Sequence, residues 1–172
     1  MTEPLRIDLL PAGALWEAEV WRGPDGARLC KAFEAPAPAP GEWVEAASGA
    51  RLWRRAPLVW RVWTGADPAA PPPAPLAELD AEAGAAAEIG AGLARLRIAG
   101  DWQAVAALLA RLVPLDLRPA AFPEGAVAVT GWRHVPLTLL REPGAAALLV
   151  PLSLAPALET QARRVAARLT AV

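Results

Sequence analysis

The fold of this chain is decided by the stretch at residues 114–125, which reads PLDLRPAAFPEG. Its three prolines and one glycine predict a rigid corner, because proline fixes φ and cannot continue a helix or a central strand. Phe122 is the single aromatic residue of the stretch, and its side chain is expected to be buried inside the corner. The residues assigned to the structural corner are Pro114, Leu115, Asp116, Leu117, Pro119, Phe122 and Gly125.

The segments on either side of the corner predict one helix and three strands. Residues 102–112 carry apolar side chains at the i, i+3, i+4, i+7 spacing of an amphipathic helix, and Asp101 is placed to cap its start. After the corner, residues 126–131, 135–141 and 146–151 show the short apolar or alternating pattern of strands.

Two further segments complete this half of the chain. Residues 88–99 predict a strand whose inward set includes Leu96 and Ile98, and residues 157–169 predict an amphipathic helix. Residues 5–10 predict an edge strand. The order strand, helix, strand, strand, strand, helix indicates an α+β fold of the split βαβ kind, with antiparallel or mixed sheets and two helices on one face.

The N-terminal half is predicted to be rich in strands. Residues 14–21 alternate strictly, the turn signal at 23–26 follows, and residues 27–33 are expected to return as the second strand of a hairpin. Residues 51–63 predict two strand pieces separated at Pro57. Residues 76–87 suit a short helix by intrinsic propensity.

The proline-rich residues 65–78 suggest a boundary in the chain. We therefore predict a strand-rich lobe at 1–64, a linker or loop at 65–78, and an α+β lobe at 79–172. The alternative is one continuous domain in which 65–78 is a surface loop.

Composition excludes several classes of function. The formal net charge is -1 and no basic stripe is present, so nucleic acid is not an expected partner. No apolar run approaches the length of a membrane span, and the N-terminus lacks the pattern of a signal peptide. Cys30 is the single cysteine, which excludes an intramolecular disulfide and favours a cytoplasmic setting.

Tryptophan is unusually frequent, with 8 Trp against 2 Phe and no Tyr. Most of the indoles fall in the N-terminal half, where they are interpreted as partly buried core residues, as a partner-binding surface or as a ligand-stacking site. The candidate partner contacts are Trp53, Trp60, Trp63, Trp132 and His134.

Catalytic chemistry has few candidate residues in this sequence. One cysteine and one histidine leave Cys30 and His134 as the sole possible thiol–imidazole pair, and nothing in their context supports it. Asp116 is the best candidate for a functional carboxylate, although an aspartate in such a corner usually bonds its own backbone. We therefore predict no catalytic, cofactor-binding or metal-binding residue in this chain.

The corner also carries a resemblance to a known family. The pattern PLDL-x-P-x-A-F-P-x-G, with an Ala-Val-Leu-rich helix before it and the strand Val135-Pro136-Leu137 after it, resembles the gamma subunit of heterotetrameric sarcosine oxidase. The resemblance covers residues 88–172. Residues 56–63 and 88–92 depart from the family pattern, since the acidic pair and the acidic-Ser motif expected there are replaced.

The resemblance implies a fold similar to the folate-dependent aminomethyltransferase superfamily and a role as a non-catalytic accessory subunit. Flavin, NAD, folate and zinc would be carried by partner chains, and this chain would pack against a large, alpha-like subunit of an oxidase that demethylates a secondary amine. One alternative is a stand-alone module of the same fold that binds a folate-like small molecule. Another is an enzyme with a site around Asp116 and His134.

Overall fold

The computed structural model describes residues 5–65 and 67–169. It divides the chain into two compact units. The discontinuous unit contains the chain up to Pro11 and from Leu93 onward, and the inserted unit spans Ala12–Gly92. These boundaries differ from the division expected at 65–78: that segment lies inside the inserted unit, and its Ala66 lies outside the described residues.

Within the described residues, the two units contain ten strands and four α-helices. The strands are β1 (Arg6–Pro11), β2 (Leu15–Val20), β3 (Trp43–Glu45), β4 (Arg51–Ala56), β5 (Val59–Trp63), β6 (Gly84–Glu88), β7 (Leu93–Ala99), β8 (Val127–Trp132), β9 (Val135–Glu142) and β10 (Ala145–Pro151). The helices are α1 (Gly23–Ala32), α2 (Ala74–Ala77), α3 (Trp102–Leu109) and α4 (Ala155–Leu169). All described strand pairs are antiparallel.

The discontinuous unit is a five-stranded sheet with two helices on one face. Its strand order is β1-β7-β10-β9-β8. One face of β7, which carries Leu96 and Ile98, forms a single core with Leu108 of α3 and Leu158 of α4. The α+β class and the two helices on one face are therefore confirmed, and burial of this face is the main stabilising term of the unit.

Helix α3 begins with the N-cap residue that was predicted from the sequence. The Asp101 carboxylate accepts a hydrogen bond from the backbone N–H of Gln103 at 2.9 Å. The helix ends at Leu109, three residues before the predicted end, and Leu112 remains buried beyond it. Residues 110–113 continue as a turn into the corner, which is why the apolar spacing extended past the helix.

The inserted unit contains the second sheet, in the order β3-β4-β5-β2-β6. The two strand pieces predicted around Pro57 are present as β4 and β5, and their register shifts between Arg54 and Ala56. Val20, Leu52 and Val62 are completely buried in the core of this unit.

Two elements of the inserted unit differ from the sequence predictions. Residues 27–33 were expected to form a return strand, but Gly23–Ala32 is helix α1. Its buried residues Gly26, Leu29 and Cys30 are spaced by three and four, so burial against the sheet selects the helical period. Residues 76–87 were expected to be helical, yet α2 ends at Ala77 and β6 pairs with β2.

Candidate functional site

The corner at 114–125 encloses a small aromatic cluster. Phe122 is buried, and its ring stacks on that of Trp102 with 6.4 Å between the centroids. The Trp102 indole N–H donates to the carbonyl of Leu117 at 3.3 Å. The loop is thereby attached to α3 through both the face and the edge of one indole.

Arg141 on β9 joins the corner to the sheet. Its side chain is buried, and its guanidinium carbon lies 3.9 Å from the centroid of the Trp102 ring. The same guanidinium donates to the carbonyl of Phe122. A buried cation over an indole face is a favourable arrangement. Here the Arg141 guanidinium is buried and stabilises the loop.

Gly125 ends the corner in a β-bulge. The N–H of Gly125 donates to the Arg141 carbonyl at 3.1 Å, and the Arg141 N–H donates to the Ala126 carbonyl at 2.8 Å. Two residues of one strand thus oppose one residue of the other, and Gly125 has φ +82°. This bulge type requires a left-handed first residue, which explains the glycine.

Asp116 lies on the exposed rim of the corner. Its carboxylate accepts from the backbone N–H of Arg118 at 3.1 Å and is held by the Arg118 guanidinium. The hydrogen bonds from the Arg118 side chain, and then from its backbone, lower the pKa of Asp116. The carboxylate therefore stays ionised and acts as a turn former in this arrangement.

Cys30 and His134 occupy unrelated kinds of environment. Cys30 lies on the buried face of α1, and burial raises the pKa of its thiol to about 11 despite the opposing charge of Arg54. The thiol is therefore protonated at neutral pH, which is the unreactive form. His134 is exposed in the two-residue turn between β8 and β9, where φ is +68°.

The proposed partner-contact residues differ sharply in exposure. Trp53, Trp60, Trp63 and Trp132 are 2–5% exposed, whereas His134 is exposed. Trp21, which was not selected from the sequence, is 47% exposed and donates its indole N–H to the carbonyl of Ala81 at 2.9 Å. Trp21 follows Glu17 and Glu19 on the outward side of the alternating pattern at 14–21, so that alternation is the signal that could have separated it from the buried indoles.

The arginines interleaved with these indoles are paired within the inserted unit. The guanidinium carbon of Arg51 lies 4.6 Å from the Trp43 ring centroid and 5.2 Å from that of Trp63. Arg61 contacts the Glu17 carboxylate at 2.7 Å. Burial lowers the pKa of Arg61, and the Glu17 charge opposes that effect. These contacts are those of a structural sheet face.

A shallow depression of about 260 Å³ lies beside β4 in the inserted unit. Its lining residues are Pro40, Gly41, Arg54, Arg55, Ala56 and Pro57. Both arginines are engaged: Arg54 donates to the Pro57 carbonyl at 3.1 Å, and Arg55 lies 3.9 Å from the Glu17 carboxylate. The depression is lined mainly by apolar surface and has no converging set of polar groups that defines a ligand.

The described residues contain neither a cluster of metal ligands nor a membrane-spanning helix. Within residues 5–65 and 67–169, no three His, Cys, Asp or Glu side chains come together as a metal site. None of the helices in this part of the chain is long and apolar enough to cross a membrane.

Comparison with known proteins identifies the fold. No model of a protein family and no curated protein sequence matches the chain. Among solved structures, the chain is similar to one chain of the heterotetrameric sarcosine oxidase from Corynebacterium sp. U-96, solved in complex with pyrrole 2-carboxylate. The TM-score is 0.82 at 20% identity, over 98% of this chain and 86% of the other.

This similarity extends beyond the half of the chain that carried the sequence resemblance. It includes the inserted unit, whose sequence departs from the family pattern. The prediction made from residues 88–172 is therefore confirmed at the level of architecture: this chain has the gamma-subunit-like fold found in heterotetrameric sarcosine oxidase.

Proposed function

We propose that this chain is a gamma-like, non-catalytic accessory subunit of a cytoplasmic, sarcosine-oxidase-like complex that oxidatively demethylates a secondary amine. The observation that carries this proposal is the structural similarity over 98% of the chain at a TM-score of 0.82. A match of that extent includes both units, so the shared architecture is that of a whole subunit and not of one common motif.

The chemistry of the chain supports an accessory role. The groups best suited to catalysis serve the fold: Arg141 holds the corner, Asp116 pairs with Arg118, and Cys30 is buried with a raised pKa. In this proposal the flavin, NAD and folate are bound by partner chains. The closest partner is a large, alpha-like subunit of the oxidase.

Co-purification tests the proposal directly. The tagged full-length chain is expressed in its own host, and the proteins that elute with it are identified and quantified. We expect stoichiometric recovery of flavin-containing oxidase subunits, together with the flavin absorption spectrum and amine-dependent oxidase activity in the eluted complex. A chain tagged at the opposite end controls for occlusion of an interface.

Recovery of this chain free of oxidase subunits with both tags would contradict the accessory role. A ligand screen by thermal shift would then test the alternative of a stand-alone module that binds a folate-like molecule. A ligand that raises the melting temperature of the isolated chain, with no effect of added oxidase subunits, would support that alternative.

A further inference from the structure

In the part of the chain that the structure describes, the two sheets have four edge strands, and three of them are protected from further pairing. β1 carries Arg6, Asp8 and Pro11, β3 has 3 residues, and β6 consists of glycine, alanine and one glutamate. Charges, prolines, short length and low β-propensity all oppose edge-to-edge association. These protective features are absent from the fourth edge strand.

The fourth edge strand, β8, has 6 residues with the sequence VAVTGW. It has no charged residue and no proline, and three of its residues are β-branched. Val129 lies at its centre and is 55% exposed. An uncharged, β-branched edge without proline is the kind that pairs with another strand.

The register of β8 fixes which backbone groups are available. The Arg141 N–H bonds the Ala126 carbonyl, so alternate residues from Ala126 onward exchange hydrogen bonds with β9. The N–H and C=O groups of Val127, Val129 and Gly131 consequently point away from β9, along the edge. Among the described residues, no strand pairs with that edge.

We propose that β8 pairs in antiparallel register with β8 of a second copy of this chain, which extends the sheet across a twofold axis. If the twofold axis passes through Val129, Val127 of one copy lies opposite Gly131 of the second. The outward N–H and C=O groups of the two strands then face each other in hydrogen-bonding positions. This inference is independent of the proposed function.

The charges at the two ends of the strand favour a second copy as the occupant. Glu124 precedes β8 and Arg133 follows it, and both side chains are exposed. Antiparallel pairing brings Arg133 of each copy to the end of the other that carries Glu124, whereas parallel pairing would bring like charges together. The edge is therefore complementary to itself in both hydrogen bonding and charge.

The contact involves one short strand from each copy, so a weak and concentration-dependent dimer is expected. Sedimentation velocity of the full-length chain, from about 5 to about 500 µM, should show a monomer–dimer equilibrium with a Kd of ~10–100 µM. Val129→Lys places like charges at the axis and should raise Kd at least tenfold. Leu152→Lys is the matched control, because Leu152 is also 55% exposed but lies outside β8.

A charge exchange tests the antiparallel register separately. Arg133→Glu should weaken the dimer, and the double variant Arg133→Glu, Glu124→Arg should restore it. Circular dichroism of each variant confirms that the monomer is folded. A wild-type chain that stays monomeric to about 500 µM, or a dimer that Val129→Lys leaves unchanged, would overturn the proposal. Binding of a different protein at β8 by a monomeric chain would also overturn it.

Discussion

Phe122 shows at the scale of one residue how the corner is held. Its ring fills the space against Trp102, and its carbonyl accepts from Arg141. We expect Phe122→Ala to lower the free energy of unfolding by about 3 kcal/mol or more, because the substitution removes a buried ring and leaves a cavity. Denaturant unfolding measures the change, and Phe122→Leu, which fills most of the space, should cost clearly less. Equal stability of Phe122→Ala and wild type would show that the corner does not organise the fold.

Gly26 is required by contact and not by backbone conformation. A Cβ at this position would lie 2.6–2.9 Å from atoms of the Trp60 indole, which is itself buried. Gly26→Ala should therefore lower the free energy of unfolding by about 1–3 kcal/mol, although alanine is the better helix former.

Gly23, in the same helix, gives the matched comparison for Gly26. Apart from its two chain neighbours, a Cβ there meets no atom within 4 Å, so Gly23→Ala should cost clearly less stability than Gly26→Ala. Thermal melts of the two variants, run in parallel, separate the contact from the helix propensity. If both substitutions were equally tolerated, the indole would not be fixed against α1.

The Cys30 thiol makes the free energy of unfolding depend on pH in the alkaline range. Burial raises its pKa from 9.0 to about 11 in the folded chain, so the folded state binds the proton more tightly than the unfolded state. The resulting stabilisation is complete below pH 9 and is lost as the pH rises through about 11. Denaturant midpoints measured between these pH values should fall for wild type and fall less for Cys30→Ala. An identical alkaline profile in both proteins would refute the assignment.

The turn between β8 and β9 has an unfavourable backbone conformation for the residues that form it. Arg133 and His134 have φ of +47° and +68°, and Trp132 pairs with Val135, so the hairpin has a two-residue loop of type I′. Replacing the pair by Asn-Gly, which prefers these angles, should raise stability by about 1 kcal/mol or more. Hydrogen exchange of β8 and β9 amides measures the gain, and Ala-Ala at the same positions should give no comparable increase.

The sequence predicted elements well where local pattern and tertiary burial agree. The strands around Pro57 and the cap at Asp101 are examples, since each depends on a local rule that the fold does not override. Residues 23–32 and 84–87 were predicted wrongly for opposite reasons. In α1, proline and aspartate read as a turn but begin a helix, and in β6 pairing with β2 overrides the helix propensity of alanine.

The corner at 114–125 shows that prediction from sequence is also limited at the candidate site. Its prolines and Phe122 are recognisable in the sequence, and the Asp116 carboxylate accepts from the Arg118 backbone N–H, as an aspartate in such a turn usually does. The role of Arg141 could not be recognised, because it lies on a strand 19 residues from Phe122 and meets the corner through tertiary folding alone. Tryptophan content alone does not distinguish the exposed Trp21 from the buried Trp53, whereas the alternation at 14–21 places Trp21 on the same side as Glu17 and Glu19.

At the scale of the whole molecule, the discontinuous unit depends on both ends of the chain. β1 pairs along its full length with β7, and the Arg163 guanidinium of α4 donates to the Ile7 carbonyl at 2.7 Å. β1 thus supplies the buried Ile7 and the partly buried Leu9 to a core whose other buried members lie beyond Leu93. A chain without β1 would expose the edge of β7 and part of the face under α4.

Deletion of residues 1–11 should therefore destabilise the discontinuous unit selectively. Lost burial and unpaired β7 groups are expected to raise hydrogen exchange by at least tenfold in β7 and α4. Amides of β4 and β5 are the internal reference, because neither strand pairs with β1. The milder variant Ile7→Ala should change exchange in the same direction, whereas Asp8→Ala, on the opposite side of the strand, should change it little. Unaltered protection of β7 in the deleted chain would mean that β1 is dispensable and that the unit is defined by residues from Leu93 onward.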